Sequence, residues 1–206
     1  MYIPPKYENK DLGEVREFIA QNSFGILVSQ VDGRPWATHI PLELEKDENG
    51  NDILMGHIAK ANPQWQYFQD QHEVLCIFNG PHSYVSSSWY HDEEVPTWNY
   101  VAVHVHGQLN ILTESEVMAA LHRLVDRYEA ASERPISLHH MSPKTLRQIK
   151  GVIGFSISIK KVSAAFKLSQ GREFDHPAII DGLERTGNHG AMDIARMMRQ
   201  TDKKKG

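Results

Sequence analysis

Residues 95–107, VPTWNYVAVHVHG, decide the fold class of this 206-residue chain. From Trp98 onward the stretch alternates. Trp98, Tyr100, Ala102, His104 and His106 fall on one face of an extended backbone, while Val101, Val103, Val105 and, just beyond, Leu109 fall on the other. A period of two with β-branched residues on one side predicts a half-buried strand, one face building core and the other presenting rings and polar tips. Outward from it, strands are expected at 24–31, 36–44, 53–59, 74–79, 83–87, 98–112 and 152–162. Asp32-Gly33 and Asn49-Gly50 are hairpin turn pairs, so the connections between the first three strands are antiparallel. Short hairpin-linked strands close most simply as a barrel or strongly curled sheet.

Helices are expected to flank this sheet. At 11–21, Leu12, Val15, Phe18 and Ile19 form one stripe behind an Asp11/Glu14 pair, and at 114–131 a Thr113/Glu116 capping box precedes Val117, Leu121, Leu124, Val125 and Tyr128. Asn62-Pro63 and Ser142-Pro143 are cap-then-proline starts for helices at 63–71 and 143–150. A last helix is expected at 190–200, followed by a polar tail, TDKKKG, expected to fray. The chain reads as one domain, 1–206, mainly β with helical additions.

Composition narrows the function classes. With 40% hydrophobic and 23% charged residues and a net charge of -4, the chain reads as a globular protein with no run apolar enough to span a bilayer. MYIPPKYENK lacks the features of an export signal, so a cytoplasmic location is expected. Cys76 is the one cysteine; it excludes an intrachain disulfide and reads as a buried thiol. Of twelve histidines, His104 and His106 share a strand face and His139 and His140 are adjacent, but no third ligand stands at a recognisable spacing, so no metal site is expected. Positive charge clusters at Arg196, Arg199 and Lys203 to Lys205, which on an acidic chain is slender support for a DNA contact and fits a solvated helix end better.

The chemistry-bearing stretch is 56–65, GHIAKANPQW. Lys60 stands just before the Asn62-Pro63 helix start, and a lysine beside free helix N–H groups attracts a phosphate. His57 could donate a ring N–H there or be an ordinary strand histidine. Thr97, Trp98, Asn99 and Tyr100 combine flat surface with polar tips, the requirements of a planar heteroaromatic ring, and could equally be barrel packing.

GHIAKANPQW, VPTWNYVAVHVHG, the opening MYIPPKY and FKLSQ at 166–170 resemble the PaiB-type FMN-binding negative transcriptional regulators of the FMN-binding split-barrel superfamily, from Met1 to about Met198. The resemblance implies an antiparallel split β-barrel, a homodimer, and FMN near the subunit boundary. It carries His57, Lys60 and Asn62 over as cofactor-side residues, Trp98, Asn99 and Tyr100 as ring-side residues, and Lys167, Ser169 and Gln170 as a third cluster, in which Lys167 would stabilise the reduced ring's negative charge if its ammonium approaches the pyrimidine side. Gly171 departs from the asparagine of the family pattern. The same superfamily holds pyridoxamine-phosphate oxidases, flavin reductases and haem-handling members, so an FMN-dependent oxidoreductase is the alternative to a regulator, a flavin-free structural protein is a third reading, and a histidine–haem contact stays open.

Overall fold

The computed structural model describes residues 1–68 and 72–205. In chain order the elements are α1 (Leu12–Gln21), β1 (Phe24–Val31), β2 (Arg34–Lys46), β3 (Asp52–Ala59), β4 (His72–Val85), β5 (Thr97–Ile111), α2 (Glu114–Glu129), α3 (Pro143–Leu146), β6 (Val152–Lys167), α4 (His176–Arg185) and α5 (His189–Lys205). The strands form a closed barrel in the order β1-β2-β3-β6-β5-β4, flanked by the helices. The chain divides into two compact units, Ile19–Ile77 with Val105–Val162, and Met1–Phe18 with Phe78–His104 and Ser163–Gly206.

In the first unit the ladders run antiparallel. β1 pairs with β2 from Phe24↔Pro41 to Val31↔Arg34, and Asp32 and Gly33 between them have φ of 51° and 71°. Positive φ at both central residues is what a type I′ turn needs, and it matches the twist of the strands it joins. β2 pairs with β3, β3 with β6, and the Leu27↔Cys76 register between β1 and β4 closes the ring. Leu27, Leu42, Leu54, Leu109, Phe155 and Ile157 are fully buried, and each such side chain contributes about 1.5–3 kcal/mol relative to exposure. Cys76 is buried among them, and desolvation raises its thiol pKa far above the ordinary range. Gly154 lets α2 approach β6, because a Cβ there would lie 2.5 Å from Val117 Cγ2. The expected Thr113/Glu116 box is present, each side chain satisfying the other's backbone N–H.

In the second unit α4 packs against α5, and Ile179, Leu183, Ile194, Ala195 and Met198 are buried together with Phe78, Val101, Val103 and Phe166. Phe18 meets Phe166 edge-to-face at 5.6 Å.

Several boundaries differ from expectation. The stretch after Asn62 is a five-residue 3-10 helix, Pro63–Tyr67, in place of an α-helix over 63–71, whose last residues, 69–71, lie outside the described ones. Its aromatic side chains diverge: Trp65 Nε1 donates back to the Lys60 carbonyl at 2.8 Å, Tyr67 donates to Asp32 at 2.6 Å, and Phe68 is buried against Phe155. The strands expected at 74–79 and 83–87 are one, β4. Gly80 between them is there for close approach and not for a turn, since a Cβ would lie 2.6 Å from the Phe18 ring. Residues 143–150 hold only the single turn α3, then a 3-10 helix, Arg147–Gly151. β6 runs on to Lys167, and α5 continues through most of the tail expected to fray. α4 was not anticipated; its apolar residues, Ile179, Ile180 and Leu183, are interrupted by Gly182, which a Cβ would drive to 2.4 Å from the Trp89 indole.

Candidate functional site

β3 delivers His57 and Lys60. His57 lies opposite Gly154 of β6, half-buried, and desolvation holds its imidazole below the ordinary range, so it is neutral near pH 7. Lys60 stands just past the strand end, its backbone N–H donating to the Gly151 carbonyl at 2.7 Å. That bond draws the Arg147–Gly151 segment alongside, and a cavity of about 220 Å³ opens with Lys60, Lys150 and Glu114 among its lining and Ile111, Val117, Met118, Ile149 and Val152 as its apolar part. His57 lines a smaller crevice that shares Leu112, Val117 and Gly154 with this cavity. Lys150 was not singled out from the sequence, because its approach to Lys60 depends on the β3–β6 ladder.

Asn62 is differently placed. Its Nδ2 donates to Thr38 Oγ1 at 3.0 Å and its Oδ1 accepts from Gln64 N at 3.0 Å, so both ends of the amide are engaged. Gln64, fully buried, continues the chain of bonds to Ser29 and Thr38. The expected cradle therefore changes in character. The Gln64 N–H is taken by the cap itself, and a five-residue 3-10 helix has little aligned dipole, which leaves the ammonium groups of Lys60 and Lys150 as the anion-attracting groups at the cavity.

In the other unit, Trp98 is 54% exposed and Asn99 fully buried, because successive residues of β5 point to opposite sides. Trp98 and Tyr100 thus share a face that Asn99 does not. The Trp98 ring has His82 and Tyr84 as neighbours, centroids 6.1 Å away in each case, along an open groove of about 640 Å³ that also includes Trp89 and Asn188. His82 and Tyr84 carry no motif of their own in the sequence; their alternation on β4 is the one local signal for them.

Asn99 instead meets Ser169, its Nδ2 donating to Ser169 Oγ at 2.9 Å. Lys167 Nζ donates to Thr97 Oγ1 at 2.5 Å and lies 5.6 Å from the Tyr7 ring centre. Gln170 turns back on its own loop, with Nε2 donating to the Phe166 carbonyl and Oε1 accepting from Leu168 N. Gly171 has φ of 82°, a left-handed conformation that glycine adopts without strain and that asparagine tolerates best among the other residues. Among the described residues, no three His, Cys, Asp or Glu side chains gather as a metal site requires, and no helix is long and apolar enough to cross a membrane. Arg196 pairs with Asp193 and Arg199 with Glu184, so two of the cations considered for DNA are already engaged.

Taken separately, an uncovered lysine beside an apolar cavity has the chemistry to meet a phosphate, and an exposed indole flanked by two further rings has the flat surface to meet a planar ring. Residues 1–161 match the family described as "Putative FMN-binding domain". The chain is 40% identical to the Bacillus subtilis "Protease synthase and sporulation protein PAI 2", covering 99% of both chains. Among solved structures, the flavocytochrome Anf3 from Azotobacter vinelandii aligns with a TM-score of 0.61 at 14% identity, covering 78% of this chain and 69% of that one. An FAD and haem binding protein from Mycobacterium smegmatis aligns with a TM-score of 0.60 at 13% identity, covering 84% and 80%. At those identities the two structures establish the shared barrel fold.

Proposed function

The chain belongs to the FMN-binding family of the PaiB type, and on that premise we propose that it is a cytoplasmic, homodimeric flavoprotein acting as a negative transcriptional regulator. The observation that carries the regulatory part is the 40% identity, over 99% of both chains, to a protein named for protease synthesis and sporulation. FMN, when bound, supplies a ring that can accept and donate electrons.

The roles are proposed residue by residue. Lys60 contributes an ammonium to the phosphate, and neutral His57 lies on the strand leading to it. Asn62 shapes the turn that presents Lys60, acting through its bonds to Thr38 and Gln64. Trp98 and Tyr100 supply flat surface for the ring, and Lys167 supplies a charge for an anionic ring edge, held in place by Thr97. Asn99, Ser169 and Gln170 fix the backbone behind these groups. With Arg196 and Arg199 engaged, regulation is proposed to act through the dimer and its partners and not through a basic stripe on DNA.

Freshly purified protein should carry a flavin spectrum near one FMN per chain, and cells lacking the protein should show raised levels of specific transcripts. An unaltered transcript profile, together with steady turnover of reduced nicotinamide by the purified protein, would replace the regulator with the oxidoreductase.

A further inference from the structure

We propose that His176 and Asp202 form a proton-dependent clasp that positions the Ser169-Gln170 loop for flavin binding. His176, the first residue of α4, is 3% exposed. Its Nε2 lies 3.0 Å from the Ser169 carbonyl oxygen, and a carbonyl only accepts, so Nε2 carries a hydrogen. Its Nδ1 lies 2.9 and 3.0 Å from the two carboxylate oxygens of Asp202 on α5, and an ionised carboxylate also only accepts. Both contacts together need one proton more than a neutral imidazole and a carboxylate hold between them. The ring is therefore an imidazolium. A neutral ring would satisfy the carbonyl or the carboxylate, but not both.

The clasp acts on a strained point. Ser169 has φ of 62°, left-handed and without the excuse of being glycine. Its carbonyl accepts from His176 and also from Arg172 N at 3.1 Å, closing a turn with Gly171 at the position that requires positive φ. Its hydroxyl meets Asn99 and Tyr90. Of the charged groups on the flanking segments, Asp175 accepts from His91 N, Arg172 pairs with Glu94, and Glu173 accepts from Gly171 N, so Asp202 is the carboxylate that faces the ring. Release of the proton frees the Ser169 carbonyl or the α5 end, and the loop between Lys167 and Arg172 loses its set conformation. His176 and Asp202 are positioning residues, and their bearing on flavin rests on the reading of Lys167 and this loop as cofactor-side.

Asp202→Ala is the informative variant, since Asp202 lies at a partly exposed helix end and its loss spares the core, whereas His176→Ala risks the fold. Nitrogen NMR of the full-length protein at neutral pH should show both His176 ring nitrogens protonated in the wild type and one in Asp202→Ala, and trypsin should cut after Arg172 faster in the variant. Titrations with FMN and riboflavin between pH 7 and 9, above the second ionisation of phosphate, should show Asp202→Ala weakened at least about tenfold toward both, equivalent to about 1.4 kcal/mol. Wild-type affinity should fall toward the variant's as pH rises. The His176→Gln/Asp202→Asn pair, which can keep both hydrogen bonds without the proton, should retain affinity and lose the pH response. A singly protonated His176 in the wild type, or unchanged cleavage after Arg172 in Asp202→Ala, overturns the clasp. An intact clasp by these two readouts, with flavin affinity unmoved by the variant, overturns the positioning role and leaves the assignment of Lys60 to FMN standing.

Discussion

Lys60 and Trp98 are each proposed to meet a flavin, one through charge and the other through flat surface, and their substitution should have different signatures. Lys60→Ala removes a charge aimed at phosphate, so FMN binding should weaken by about 1–3 kcal/mol while riboflavin binding is almost unchanged. Trp98→Ala removes flat surface and should weaken both flavins alike. Because Trp98 is 54% exposed, its truncation should leave the melting temperature nearly unchanged, in contrast to the loss of about 3–5 kcal/mol expected for a core tryptophan. Fluorescence titrations with the two flavins and a thermal melt check both. His57 gives a pH signature. Burial depresses its folded-state pKa, so the unfolded chain binds the extra proton first; stability from this residue is present above the ordinary imidazole range of about 6.5 and is lost as pH falls below it. In flavin-free protein, His57→Gln should flatten the fall in melting temperature between pH 7 and 5, and an unchanged slope would exclude His57 as its source.

At the scale of elements, two glycines set how closely helices approach their supports. Gly154→Ala would press a methyl group to 2.5 Å from Val117 on α2, and Gly182→Ala would place one 2.4 Å from the Trp89 ring. Each should destabilise by about 1–3 kcal/mol in denaturant unfolding, since neither neighbour is the free end of a flexible chain. Thr113→Ala should cost about 1 kcal/mol through loss of the α2 cap. The hydrogen bonds from Thr113 also lower the Glu116 carboxyl pKa, so this support is present at neutral pH and fades as pH falls through the acid range. The elements visible in the sequence are those specified locally: the β1–β2 hairpin by Asp32-Gly33, α2 by its capping box, β5 by strict alternation. What stayed hidden was set by distant partners. Gly80-Pro81 reads as a break until Phe18 is seen against it, Gly182 masks α4 until Trp89 is seen, and the Asn62-Pro63 start becomes a 3-10 turn because Trp65 and Tyr67 bond elsewhere. The same division holds for the candidate site. Lys60 and Trp98 were visible from motif and period, whereas Lys150, His82 and the His176–Asp202 pair are brought into place by the tertiary fold.

For the molecule as a whole, the proposed homodimer should show assembly and flavin binding linked to each other. If both subunits contact the cofactor, sedimentation across a dilution series should show the dimer dissociating at lower concentration with FMN than without it. A monomer with full flavin affinity would contradict the shared site. The family match makes FMN the cofactor, and Lys60 is proposed as the group that distinguishes its phosphate. The most direct measurement is a calorimetric titration of the flavin-free protein with FMN and with riboflavin, run in parallel on Lys60→Ala. The wild type should prefer FMN by at least about tenfold, or about 1.4 kcal/mol, and the preference should collapse in the variant. Equal affinities of the wild type for the two flavins, or a preference that survives the loss of Lys60, would contradict it.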